Sequence, residues 1–231
     1  MAAWLGLNGV LLVAAYLLGS TPTGYWVAYR VKNVDIRKHG SGSTGATNVL
    51  RVVGKKAALF VLLVDILKAV AAITVVRGTY ESIGALGAIA PVEVLQVWQP
   101  WMVTLAGLAA LLGHAKSIWL MTGSARSPEL TTGGKAVASS LGVLLALSWQ
   151  IGLATIAIFA IVLSISRIVS LSSMLSAILI SVLMLGTHQP LPFCLFAIAA
   201  TAYVLFRHRS NIDRLLSGTE PRLGQQVQPS D

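Results

Sequence analysis

"AVASSLGVLLALSWQIGLATIAIFAIVLSIS", residues 136–166, runs for 31 residues without a charged side chain. One helix crosses a hydrocarbon core in about 20 apolar residues, so this run is long for one span and short for two. At its centre "SWQIG", 148–152, offers the residues of a turn. Positive charge decides between the readings. As one span, the run sends Arg207, Arg209, Arg214 and Arg222 to the side opposite the basic loops at 30–56 and 115–135. As two, it gathers 15 of the 17 Lys and Arg residues on one side, with Arg77 outside and Lys68 within a span. Cytoplasmic loops carry the Lys and Arg excess, so the sequence predicts two helices here.

The remaining apolar runs complete the set: 3–29, 57–76, 94–114, 135–149, 151–166, 170–187 and 190–206. The predicted fold class is an all-α polytopic membrane protein of seven transmembrane helices, N-terminus outside and C-terminus cytoplasmic. One domain, 1–220, is expected, with 124–130 as a loop tip and 221–231 as a flexible cytoplasmic tail. Composition agrees: 55% of the 231 residues are hydrophobic and 11% charged, against about 25% charged in soluble domains, and mean hydropathy is +0.78. No run alternates as a lipid-facing barrel strand does. No Lys or Arg precedes the first run, so a retained span is expected rather than a cleaved signal. Cys194 is the single cysteine, which excludes an intramolecular disulfide and a cysteine-based metal site. The net charge of +9 lies between hydrophobic runs, where it orients spans and attracts anionic membrane lipids. Nucleic acid is not an expected partner.

Three polar segments then meet on the cytoplasmic side. "HGSGSTGATNVLR", 39–51, carries Gly40, Gly42 and Gly45, the short donors Ser41, Ser43, Thr44, Thr47 and Asn48, and the planar fork of Arg51. Successive backbone N–H groups and an arginine suit a phosphate. It lacks the GK[ST] ending of a Walker A loop and the βαβ context of a dinucleotide fingerprint. "TTGGKAVASS", 131–140, places Gly133 and Gly134 ahead of Lys135 at a helix start, where dipole and ammonium suit one anion. "FRHRSNIDRLLSGTE", 206–220, sets His208 and Asn211 on one face if the last helix continues past the membrane. His208 is a candidate proton carrier. Arg207 and Arg209 read as lipid anchors, and Glu220 as a structural partner for an arginine.

Elsewhere, Asp65 and Lys68 stand within the second span at i, i+3, a spacing that lets them pair. His114 and Lys116 end the third span, where snorkelling to the interface is expected. His188 reads as an outer turn residue.

Together "YLLGSTPTGYWVAY", "DIRKHGSGSTGATNVLR", "DILK", "GGKAVASSLG" and "RHRSNIDRLLSGTE" resemble, in order and from about residue 15 to 220, the bacterial acyl-phosphate-dependent glycerol-3-phosphate acyltransferases, the PlsY family. The resemblance implies a seven-span enzyme of the bacterial cytoplasmic (inner) membrane with its active site on the cytoplasmic side. It implies transfer of a fatty acyl group from acyl phosphate to the 1-hydroxyl of sn-glycerol 3-phosphate, giving lysophosphatidic acid and phosphate, without acyl-CoA, cofactor or metal. The soluble enzyme that makes acyl phosphate is an implied partner.

By position, the family's essential serine and arginine fall on Ser41 and Arg51, and its Thr-Asn pair on Thr47 and Asn48, beside the glycines Gly40 and Gly42. Its phosphate loop falls on Gly133, Gly134 and Lys135, its His and Asn on His208 and Asn211, and its serine pair on Ser170 and Ser173. Three departures are visible. Ser43 stands where the family usually has Asn, Ala136 stands where it has Gly, and "GSARSPEL" lengthens a loop. Ala136 is expected to require ordinary backbone angles.

The residues permit direct attack of the glycerol hydroxyl on the acyl phosphate, catalysed by positioning and by donors that stabilise negative charge. A transporter of phosphate esters is the rival class, but transporters place polar groups at the midplane in paired repeats. A non-catalytic scaffold leaves the three segments unexplained, and a metal-dependent CDP-alcohol-type phosphotransferase lacks its Asp-rich helix.

Overall fold

A computed structural model describes residues 2–87, 89–122 and 133–223. The lengthened loop at 124–130 and tail residues 224–231 lie outside the described residues. Every element described is helical. In chain order they are α1 (Ala2–Ser20), α2 (Thr23–Lys32), a 3-10 turn (Ile36–Lys38), α3 (Ala46–Val52), α4 (Lys55–Leu86), α5 (Val92–Ala115), α6 (Ile118–Thr122), α7 (Val137–Leu147), α8 (Trp149–Ser166), α9 (Val169–Gly186), α10 (Leu191–Arg207) and α11 (Arg209–Leu216).

Among the described residues, five segments are long and apolar enough to cross a membrane: Ala2–Lys32, Lys55–Leu86, Val92–Thr122, Trp149–Ser166 and Val169–Gly186. The pair α10 and α11, bent by 59°, makes a sixth if taken as one span. The run at 136–166 breaks where the turn was expected, at Ser148, whose backbone is extended. Its first half is shorter than a full span: α7 has 11 residues, about 16 Å of helix against a hydrocarbon core of about 30 Å. Arg77 meets the end of this short helix, Nη2 donating to the Ala146 carbonyl at 2.8 Å, where a helix leaves its last carbonyls unpaired. Arg77 reaches that position because α4 continues ten residues past the expected end of its span, to Leu86.

The first span, expected to be continuous over 3–29, breaks at Thr21 and Pro22. Proline lacks the N–H that would extend the ladder. One carbonyl freed there, that of Thr21, accepts from Lys68 Nζ at 2.9 Å.

α5 packs on α1, α4 and α10, while α4 also packs on α7. Glycines let α1 and α5 approach at backbone distance. A Cβ at Gly19 would lie 2.1 Å from the Ala110 carbonyl oxygen, and one at Gly113 2.2 Å from that of Tyr16. The buried core between these helices runs through Ala72, Val76, Tyr80, Val103, Ala106, Val143 and Phe196. A smaller core of Ala28, Ile36, Val49, Ala58 and Val61 holds α2, α3 and the start of α4 together, and carries the first polar segment.

Candidate active site

The loop at 39–45 is built around Asn48, which is 1% exposed. Its Nδ2 donates to the carbonyls of Ser43 at 2.9 Å, His39 at 3.0 Å and Ile36 at 3.3 Å, and its Oδ1 accepts from the Ser41 N–H at 3.0 Å. Expected to face a ligand, Asn48 instead spends its whole amide on the loop. Gly40, at φ +59°, leaves room for that amide: a Cβ there would stand 2.2 Å from Asn48 Oδ1. Asp35 anchors the loop's approach, accepting from the Arg37 backbone N–H at 3.0 Å and pairing with its guanidinium at 2.9 and 2.7 Å. Ser41 is exposed and Thr47 half-buried, and neither side chain has a hydrogen bond among the described residues. Gly42, at φ +69°, lets the chain turn toward Ser43, whose Oγ accepts from the Gly45 N–H at 3.2 Å.

Gly133 and Gly134 rest on the end of α5. The Gly133 N–H donates to the Ala115 carbonyl at 3.0 Å, and a Cβ at Gly133 would fall 2.2 Å from the His114 carbonyl oxygen. Arg207 Nη2 donates to the Gly133 carbonyl at 3.3 Å, so Arg207 braces the loop rather than only anchoring the helix to lipid. Arg209 instead lies over the Phe206 ring at 5.1 Å. Ala136 follows in the left-handed region, φ 60° and ψ 10°, against the expectation of ordinary angles. This left-handed turn places backbone strain on one alanine.

The third segment bends rather than continuing straight. His208 sits at the 59° joint of α10 and α11, 3% exposed. Its Nδ1 lies 2.7 Å from the Val204 carbonyl, so Nδ1 donates and Nε2 keeps the lone pair. Beyond α11 the chain turns at Gly218 and brings Glu220 back to the bundle, with the Leu223 N–H donating to the Arg167 carbonyl at 2.7 Å. Glu220 accepts from Ser170 Oγ at 2.7 Å, Asn211 Nδ2 at 2.6 Å and Arg214 Nε at 2.7 Å. Asn211 Oδ1 in turn receives the Lys135 ammonium. Ser170 and Ser173 are both buried; Ser173 Oγ donates to the Val169 carbonyl at 2.9 Å.

The second and third segments thus meet at one point, with Arg51 of α3 in range. Arg51 is exposed, has no ion pair among the described residues, and lies within electrostatic reach of Glu220, Arg214 and Lys135. Burial pushes Lys135 down to about 8. Glu220 opposes this, while Arg214, Arg51 and Arg207 add to it. At Glu220 burial disfavours the charge, but hydrogen bonds from Ser170, Asn211 and Arg214 outweigh it and hold the carboxyl below its ordinary range. Four cations around one carboxylate leave a surplus of positive charge for an oxyanion.

A groove of about 1070 Å³ opens between α2 and the start of α4. Trp26, Val27, Phe60 and Val64 line its apolar wall, and Arg30, Lys55 and Lys56 stand along it as cations.

Sequence reasoning placed Glu220 in a supporting role, and its ion pair with Arg214 at 2.7 Å bears that out. It did not foresee Glu220 as the acceptor shared by Ser170 and Asn211. The signal was Gly218 after a short amphipathic run, a helix stop that folds the chain back. His114 does not snorkel: it is 7% exposed and lies 3.0 Å from Lys68 Nζ. Asp65 and Lys68 pair at 2.8 Å as their spacing suggested.

The family profile described as glycerol-3-phosphate acyltransferase matches residues 9–218. Curated relatives carrying that name include one from Trichormus variabilis, 54% identical over 227 residues, covering 98% of this chain and 96% of the relative. Another, from Acaryochloris marina, is 51% identical over 225 residues, covering 97% of this chain and 96% of the relative. Among solved structures, this fold is similar to the crystal structure of PlsY, an integral membrane glycerol 3-phosphate acyltransferase, in its glycerol 3-phosphate form. The TM-score is 0.76 at 33% identity, over 94% of this chain and 96% of that one. Its lysophosphatidic acid form gives 0.73 at 32%, over 94% and 95%.

Proposed function

Because the chain belongs to the glycerol-3-phosphate acyltransferase family, we propose that this integral membrane enzyme transfers a fatty acyl group from an acyl phosphate to the 1-hydroxyl of sn-glycerol 3-phosphate. The products are lysophosphatidic acid and inorganic phosphate. The observation that carries this reading is the convergence of Lys135, Arg51, Arg207 and Arg214 around Asn211 and Glu220, a cationic site for an oxyanion.

Arg51 and Lys135 hold phosphate oxygens, and the free hydroxyl of Ser41 polarises the acyl carbonyl from the loop that Asn48 shapes. Thr47 adds a donor from the first turn of α3. The hydroxyl oxygen of glycerol 3-phosphate attacks the carbonyl carbon, and the bond from that carbon to the phosphate oxygen breaks. Phosphate leaves with the bonding electrons, and the hydroxyl proton passes to a phosphate oxygen. A mixed anhydride has a good leaving group, so positioning and charge stabilisation suffice without an acyl-enzyme. His208 Nε2, an acceptor in this tautomer, orients the attacking hydroxyl. Asn211 sets the Lys135 ammonium, and Ser170 fixes the Glu220 carboxylate that holds Asn211. Ser173 and the backbone of Gly133 and Gly134 complete the wall.

The acyl chain enters sideways from the bilayer into the groove between α2 and α4, and glycerol 3-phosphate comes from the basic cytoplasmic side. Seven membrane segments, α7 being the short one, put the N-terminus outside and the C-terminus inside the bacterial cytoplasmic membrane. The acyl phosphate arrives from a soluble enzyme at that surface. Lysophosphatidic acid formation by the protein in lipid, offered palmitoyl phosphate or palmitoyl-CoA, tests the donor. Product is expected from the phosphate alone; product from the thioester overturns the reading.

A further inference from the structure

Asp65, Lys68 and His114 form a buried polar cluster that the acyl-transfer chemistry leaves unused, each less than a tenth exposed. Lys68 Nζ lies 2.8 Å from Asp65 Oδ1, 2.9 Å from the Thr21 carbonyl and 3.0 Å from His114 Nδ1. An ammonium donates and never accepts, so the Thr21 carbonyl and His114 Nδ1 accept hydrogen bonds from it, while Asp65 Oδ1 holds it as an ion pair. His114 Nδ1 therefore accepts, and the imidazole proton resides on Nε2.

That Nε2 edge faces the phosphate loop. A Cβ at Gly134 would stand 2.0 Å from His114 Nε2, and the neighbouring Gly133 sits on the His114 and Ala115 carbonyls. The ring is thus the floor on which the loop rests, one residue before Lys135. A buried ion pair is costly unless its remaining donors are matched. Here the matching groups tie together four parts of the fold: the break after α1, α4, the end of α5 and the loop.

We propose that Asp65, Lys68 and His114 are positioning residues for Lys135: the charged pair fixes the His114 ring, and the ring edge sets where Gly134 rests and how far Lys135 reaches toward Asn211. The kinetic consequence rests on the acyl-transfer reading, whereas the geometric one does not.

The test uses the full chain in lipid with His114→Leu, which removes the acceptor from Lys68, and His114→Gln, which restores an amide acceptor. Two quantities are read. One is the pH midpoint for acetic anhydride labelling of Lys135, followed by mass spectrometry, with Glu220, Arg214, Arg51 and Arg207 as the charges facing it. The other is KM and kcat with glycerol 3-phosphate and palmitoyl phosphate. His114→Leu is expected to move the labelling midpoint by about half a unit or more. It is also expected to raise KM for glycerol 3-phosphate about tenfold with kcat little changed, the size of one lost charge-assisted contact. His114→Gln is expected to recover most of both.

Unchanged Lys135 labelling in folded His114→Leu overturns the proposal, as does a His114→Gln no better than His114→Leu. If His114→Leu does not fold, Gly134→Ala pushes on the same ring edge from the loop side and carries the same expectation, and unchanged labelling there is equally fatal. A labelling shift in a protein whose wild type makes no lysophosphatidic acid leaves the positioning intact and removes the acyl-transfer reading instead.

Discussion

Asn211 and Glu220 are joined by a 2.6 Å hydrogen bond from amide to carboxylate, across nine residues of chain. The same amide takes the Lys135 ammonium on its oxygen, so one neutral side chain separates the carboxylate from the cation that the substrate needs. Asn211→Asp places a second negative charge against Glu220 and beside Lys135. Hydrogen bonds to charged groups are worth about 1.5–3 kcal/mol, so lysophosphatidic acid formation is expected to fall about ten- to a hundredfold. A steady-state assay beside a thermal melt checks that the loss is kinetic. An activity equal to wild type contradicts the proposed role of Asn211.

Lys135 gives the reaction a pH signature. Its folded value of about 8 lies below the ordinary lysine value, so its charge is present below that pH and lost as pH rises through it. KM for glycerol 3-phosphate is expected to climb above about pH 8 in the wild type. Lys135→Arg stays charged and is expected to flatten the profile between about pH 7 and 9, even if its absolute affinity is poorer.

Much of this site lay open in the chain itself. The helix break at Ser148 followed from charge distribution, and the glycines around Ser41 and Lys135 announced tight backbone. What stayed hidden depends on contacts between distant segments. Asn48 reads as a ligand donor until its amide is seen to close a loop, and His114 reads as interfacial until Lys68 arrives from 46 residues away. The break at Pro22 was written in "GSTPTG", but the uncharged run around it reads as one span.

Gly24 tests how the first loop is held. A Cβ at Gly24 would stand 1.8 Å from the Thr44 carbonyl oxygen, so Gly24→Ala must push the loop that carries Ser41 away from α2. Activity is expected to drop about fivefold to a hundredfold, matching an overpacking cost of about 1–3 kcal/mol. Gly6→Ala, which meets nothing within 4 Å, serves as the control and is expected to be silent.

Ala136 offers a gain. At φ 60° it pays the left-handed penalty of about 1–2 kcal/mol that glycine escapes. Ala136→Gly is expected to raise the midpoint of thermal unfolding in detergent, with activity retained. A lower midpoint contradicts the strain assigned to this residue.

Direct acyl transfer at the cluster of Arg51, Lys135, Asn211 and Glu220 passes through no acyl-enzyme. Its most direct test is a rapid-quench single turnover with palmitoyl phosphate carrying a labelled acyl chain, with and without glycerol 3-phosphate. Direct transfer gives no phosphate release and no protein-bound label without the acceptor, and release in step with lysophosphatidic acid when it is present. A burst of phosphate with label on Ser41 or His208 would contradict it.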